Sequence, residues 1–147
     1  MKQKNMLVTT ISPVATGKSD EHTLYGNQPA AGFPAPGDDV VEEPLDLNDL
    51  LIENPTATFF VRVSGDSMEG ARIFDGDILV VDRSIQPDSG MIVVAAVYGE
   101  LVVKRLKKTQ SGLQLVSENE LYEPIEISDN EGCFVWGVVT GLARVLS

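Results

Sequence analysis

Histidine and cysteine are almost absent: His22 and Cys133 are the single examples of each in 147 residues. A lone cysteine closes no disulfide within the chain, and one of each cannot build a Cys-rich metal centre, so a reducing compartment is expected and no metal or cofactor. Cys133 reads as a buried, inert thiol. Long apolar runs are also missing. No stretch approaches the ~20 residues that cross a bilayer. The apolar run after Lys2 and Lys4 is broken by Thr9, Thr10, Ser12 and Pro13, too soon for the core of a secretory signal. A cytoplasmic protein is expected. Positive charge is scarce as well, with 11 Lys and Arg against 22 Asp and Glu and a net charge of −11. That balance argues against direct contact with a nucleic-acid backbone, which requires clustered cations.

What is present falls into two textures. Residues 1–58 carry most of the prolines and the acidic stretch GDDVVEEPLDLNDL, while NQPAAGFPAPG mixes small residues with three prolines. This reads as a flexible, extended N-terminal arm. Within it Leu47, Leu50 and Leu51 stand at helical spacing ahead of Pro55 and predict one short helix. The runs ATFFVRV, DILVVD, GMIVVAAVYG, ELVVKRL, GLQLVS and CFVWGVVTGLARVL are short, rich in Val, Ile and aromatics, and punctuated by Gly, Asp, Ser and Asn. They predict a mainly β domain over 59–147, a small barrel or strongly bent sheet.

The stretch VSGDSMEGARIFDGDILVVD sets Ser67 in a Gly-rich bend between two of these strands. A serine hydroxyl is a weak nucleophile until a neighbouring base takes its proton. His22 lies among SDEHTLY in the arm, a poor place to hold a base steady. The nucleophile elbow needs Gly two residues to each side of the serine; Gly65 fits, but position 69 is Glu. The penicillin-binding pattern needs Lys three residues on, and position 70 is Gly. Lysine elsewhere is the remaining base. Lys2, Lys4 and Lys18 lie in the arm, and Lys107 and Lys108 sit where KKTQSG turns a hairpin. Lys104, in ELVVKRL, instead shares a period-two face with Val102 and Leu106. Desolvation on that face lowers an amine's pKa, and neutrality at pH 7 requires a fall of more than ~3 units from ~10.4, or ~5 kcal/mol. Plainer assignments stand beside these. Ser67 is a turn former, Lys104 an edge-strand guard against aggregation, Asp75 and Asp77 a turn, and the acidic runs a solubilising surface.

In order and spacing, SGDSM, DGDILVVD, LVVKRLKK, LVSENELYEPI and VWGVV resemble the self-cleaving Ser-Lys proteins of the bacterial SOS response, the LexA/UmuD family. GFPAPGDDVVEEPLDLNDLLIENPTATFFVRVSGDSM is similar to the UmuD arm almost throughout. The resemblance implies a LexA-like peptidase domain with Ser67 as nucleophile, Lys104 as general base and the Ala31–Gly32 bond as substrate. It implies that Met68 lends its backbone N–H to an oxyanion hole. The partners it implies are the RecA filament on single-stranded DNA, the catalytic subunit of a Y-family translesion polymerase, and a second copy in a homodimer. Ala31 stands where UmuD carries Cys, and VSEN lacks a proline often found there. The 31 residues before the implied bond hold no helix-turn-helix pattern and no basic face, which disfavours a DNA-binding repressor. The function expected is an accessory subunit of an error-prone polymerase, activated by trimming its own arm. Two alternatives are a non-catalytic polymerase-binding module with a relic dyad and a LexA-like regulator without a DNA-binding domain.

Because the histidine is so badly placed, Ser67→Ala and Lys104→Ala should each abolish self-processing while His22→Ala leaves it intact, as read on gels after alkaline incubation. Lys104→Arg should also be inactive, since a guanidinium stays protonated and takes no proton.

Overall fold

Val- and Ile-rich runs, stiff at χ1 and suited to a pleated surface, form eight strands in the computed structural model, which describes residues 5–15, 40–127 and 132–146. They are β1 (Leu7–Pro13), β2 (Thr58–Ser64), β3 (Ile78–Asp82), β4 (Ile92–Val97), β5 (Glu100–Thr109), β6 (Gly112–Val116), β7 (Ile125–Glu126) and β8 (Cys133–Ala143). All pair antiparallel in the order β1-β2-β3-β8-β4-β5-β6-β7. β1 meets β5 again, with Leu7 opposite Val102. The sheet therefore curls into a small barrel that β1 closes, and β6 and β7 extend it beyond β5. The expectation of a mainly β domain, a barrel or strongly bent sheet, holds, and the architecture is consistent with the LexA-like peptidase domain that the resemblance implies.

By packing, the described residues of Met1–Val14 and Asn54–Ser147 form one unit and those of Ala15–Glu53 a second. The second contains the helix anticipated from its leucine spacing, α1 (Leu47–Leu51). The Asp46 side chain caps it by accepting from the Asn48 N–H at 2.9 Å. Residues 7–13, read in the sequence as part of the arm, instead form β1. Their partners lie 46 to 57 positions away by subtraction of sequence numbers, with Leu7 opposite Ser64 and Pro13 opposite Phe59. LVTTISP carries little strand signal of its own, and pairing with β2 imposes the conformation.

Alternate side chains of the central strands feed two apolar clusters. Val94 and Val103 join Val61, Val63, Leu79, Val81, Met6 and Met68 on one face. Val93, Ala95, Val102 and Leu106 join Leu115, Cys133 and Val138 on the other. Both faces of β4 and β5 are thus buried, and Cys133 is the buried thiol expected. Each fully buried aliphatic side chain contributes about 1.5–3 kcal/mol of transfer free energy.

The end of β8 is tied back by charge. Arg144 donates from Nε to Asp77 Oδ1 at 2.7 Å and from Nη2 to Oδ2 at 2.8 Å. The Asp77 carboxylate is 1% exposed and also accepts from the Phe74 N–H at 2.8 Å. The hydrogen bond from Arg144 holds Asp77 below the usual carboxylate range, against the opposing effect of burial. A depressed carboxyl contributes stability above the unfolded pKa and loses it as pH falls through the folded value. Arg144→Ala should therefore lower Tm at neutral pH and move acid unfolding to higher pH, whereas Arg144→Lys should restore part of both. Circular dichroism between pH 2 and pH 7 checks this.

Candidate active site

Ser67 lies in the turn that follows β2. Gly65 enters that turn at φ 114°, a left-handed region that favours glycine, and its N–H donates to Asp75 Oδ1 at 2.9 Å. Asp75, Gly76 and Asp77 form the turn that their sequence implied. The turn bearing Ser67 is then held by residues 117–122. The Glu118 N–H donates to the Ser67 carbonyl at 2.9 Å, and the Gly70 N–H returns to the Glu118 carbonyl at 2.8 Å. Asn119 Nδ2 reaches the Asp66 carbonyl at 3.3 Å, and the Tyr122 hydroxyl donates to Asp66 Oδ1 at 2.7 Å. Glu118 is itself held by an ion pair with Arg105 of β5.

Lys104 comes from β5, a strand paired on both sides by β4 and β6, which removes the edge-guard reading. Its side chain is 1% exposed, on the Val102 and Leu106 face as the period of two implied. The buried amine donates to Ser117 Oγ at 2.6 Å and to Asn5 Oδ1 at 2.6 Å. The Tyr122 ring, 5.4 Å from Nζ, adds a weak attraction for the charged form. Burial outweighs it and pulls the Lys104 pKa down from 10.5 to about 8.

Ser67 is fully buried, and its Oγ accepts from the Met6 N–H at 2.9 Å. Ser67 and Lys104 thus converge on consecutive residues, Met6 and Asn5; among the described residues each side chain bonds to this segment, Lys104 also to Ser117, and the two do not bond to each other. The bond from Glu118 to the Ser67 carbonyl also orients the Ser67–Met68 peptide, because its planarity points the Met68 N–H opposite to that carbonyl. Ala31, Gly32 and His22 lie outside the described residues.

Three contributors were not identified from the sequence. Ser117 sits in VSEN, where a hydroxyl directly after a strand gave a weak signal. Asn5 and Met6 gave none, since their contacts span 99 and 61 positions. A separate open groove of about 470 Å³ runs along residues 7–11 and 99–101 and includes neither Ser67 nor Lys104.

Known proteins resemble this chain over most of its length. The Peptidase S24-like family profile matches residues 23–140. MucA of Salmonella typhimurium is 40% identical over 128 residues, covering 86% of this chain and 88% of that protein. ImpA of Shigella flexneri is 42% identical over 118 residues, covering 80% and 79%. The LexA repressor of Xylella fastidiosa is 37% identical over 115 residues, covering 78% of this chain but 54% of the repressor.

In a titration of 13C-lysine-labelled protein followed by NMR, the Lys104 side chain should change charge near pH 8. A midpoint at the ordinary value of ~10.4 would contradict the burial seen here.

Proposed function

The chain belongs to the Peptidase S24-like family, in its LexA/UmuD group, and from that premise we propose that it cuts its own Ala31–Gly32 bond with Ser67 as nucleophile and Lys104 as general base. The observation that carries this reading is the convergence of a buried hydroxyl and a buried, pKa-lowered amine on two consecutive residues, the Met6 N–H and the Asn5 side chain. A groove that holds a peptide against both groups suits proteolysis.

The chemistry follows from the amine. Neutral Lys104 takes the Ser67 proton as Oγ attacks the Ala31 carbonyl carbon, and the oxyanion is held by the Met68 N–H. The Lys104 ammonium then gives that proton to the Gly32 nitrogen as the C–N bond breaks. Water, deprotonated by the same amine, hydrolyses the Ala31 ester and restores Ser67. Ala30, Ala31 and Gly32 make the substrate narrow, and Pro34 and Pro36 keep the chain after it extended, which limits the entropy lost on docking. Attack within one molecule avoids the cost of collecting a substrate.

In this reading the RecA filament on single-stranded DNA stimulates cleavage. The trimmed protein acts in the cytoplasm as a homodimeric accessory subunit for the catalytic subunit of a Y-family translesion polymerase. Its acidity fits a protein that responds to DNA damage without gripping DNA itself. The relatives named MucA and ImpA, matched over most of their length, support this branch over a repressor. The match to the LexA repressor covers about half of that protein.

Incubation across pH, followed by mass spectrometry, tests the proposal. With Lys104 near 8, the neutral fraction rises from about a tenth at pH 7 to about nine tenths at pH 9, so spontaneous cutting should accelerate roughly tenfold and then level off. The large product should begin GFPAPGDD, and Gly32→Val should slow its formation strongly by crowding the attacked carbonyl. An N-terminus elsewhere, or efficient cutting of Gly32→Val, would refute the assignment.

A further inference from the structure

The chain's own N-terminal segment lies against both Ser67 and Lys104. Met6 places its N–H on Ser67 Oγ at 2.9 Å, and Asn5 places its side-chain oxygen on the Lys104 amine at 2.6 Å. The Met6 carbonyl accepts from the Val103 N–H at 3.1 Å, so the segment is bonded on both sides, to the nucleophile turn and to β5. The Met6 side chain is fully buried in the cluster with Val61, Val63 and Met68. Beyond it, β1 runs antiparallel to β2 from Leu7 to Pro13. Gly65 makes this seat possible, because a Cβ there would come within 2.3 Å of the Asn5 carbonyl oxygen.

The seated peptide is positioned to be inert. An N–H that points at Oγ puts the hydroxyl oxygen near the plane of the Asn5–Met6 peptide, on its nitrogen side. Attack on a carbonyl carbon instead requires approach from above that plane, with the lone pair free. Here the attacking atom is occupied by a hydrogen bond and the prospective base by an amide oxygen.

We propose that this groove is a binding site for an extended peptide and that residues 5–10, with Met6 as buried anchor and Asn5 as cap on the amine, are its built-in competitor. The proposal rests on the assignment of Ser67 and Lys104 as the cutting pair. Two strands cannot lie in one groove, so the strand that begins with Asn5 must leave before the segment around Ala31 enters. Both segments precede Gly32, so the proposed cut severs the competitor from the domain and leaves the groove open to another extended chain.

Reactivity of Ser67 towards a fluorophosphonate tests occupancy without relying on self-cleavage. Labelling at pH 9 is compared among the full chain, a chain lacking residues 1–13, and full-length Met6→Gly, all carrying Gly32→Val to suppress cutting, with Ser67→Ala as the blank. If the strand fills the groove more than about nine tenths of the time, both altered chains should label at least about tenfold faster than the full chain. A synthetic peptide of residues 3–13 should slow labelling of the shortened chain, and the same peptide carrying Met6→Asp should not. Met6→Gly keeps the test valid where the shortened chain does not fold. Equal labelling of the full-length chain and Met6→Gly would overturn the competitor and leave the cleavage proposal standing. Absence of Ser67 labelling in every chain would overturn both.

Discussion

An ammonium group taken out of water governs the arrangement of this domain. Leaving an ion of that size unpaired in the interior costs several kcal/mol even after relaxation, and Lys104 is 1% exposed. Among the described residues no carboxylate bonds to it. Its partners are two neutral oxygens, from Asn5 and Ser117, and the face of Tyr122. Neutral acceptors compensate the charge only in part, and the remaining deficit appears as an amine that gives up its proton near pH 8. A carboxylate in place of either oxygen would have favoured the charged form and lost the prospective base.

The segment from Ser117 to Tyr122 joins this amine to the serine turn. Ser117 touches Lys104; its neighbour Glu118 holds the Ser67 carbonyl, and Asn119 and Tyr122 hold Asp66. Groups 37 and 50 positions from Ser67, by subtraction of the sequence numbers 104 and 117, therefore share one hydrogen-bonded frame. The frame rests on rigid strands: Lys104 lies within β5, Ser117 directly follows β6, and the turn bearing Ser67 begins where β2 ends. Three small displacements would otherwise add up at Oγ, where misplacement of ~1 Å costs orders of magnitude in rate.

Strand texture and side-chain period were legible from residues alone because they are local. ELVVKRL predicts which face Lys104 occupies whatever lies opposite, and the clusters confirm it with Val102 and Leu106 on one side and Val103 on the other. DGD as a turn and Leu47, Leu50 and Leu51 as a helix are of the same kind. Pairing is another matter. Nothing in LVTTISP says that it will lie beside β2, and nothing in LVVKRL says that its strand has neighbours on both sides. For that reason the sequence alone assigns residues 7–13 to the arm and leaves an edge position for Lys104 open. Asn5, Met6 and Ser117 acquired roles only through those pairings, whereas the Ser67 and Lys104 assignments came from family likeness over several motifs, with the residues alone leaving them undecided.

The way β1 is held makes it the dispensable member of the barrel. It has a full ladder with β2 but meets β5 at one position, Leu7 opposite Val102. β2 keeps a second partner in β3, and β5 keeps β4 and β6. Every strand that remains without β1 is thus still paired, and among the fully buried residues of the two clusters only Met6 would depart with it. Loss of the first strand would uncover one apolar seat beside Val61, Val63 and Met68, a free edge on β2 and the short stretch of β5 at Val102 and Val103, while the turn bearing Ser67 draws its backbone support from residues 117–122. The proposed loss of the N-terminal segment would exploit this asymmetry: a strand that covers Ser67, attached to a sheet that does not require it.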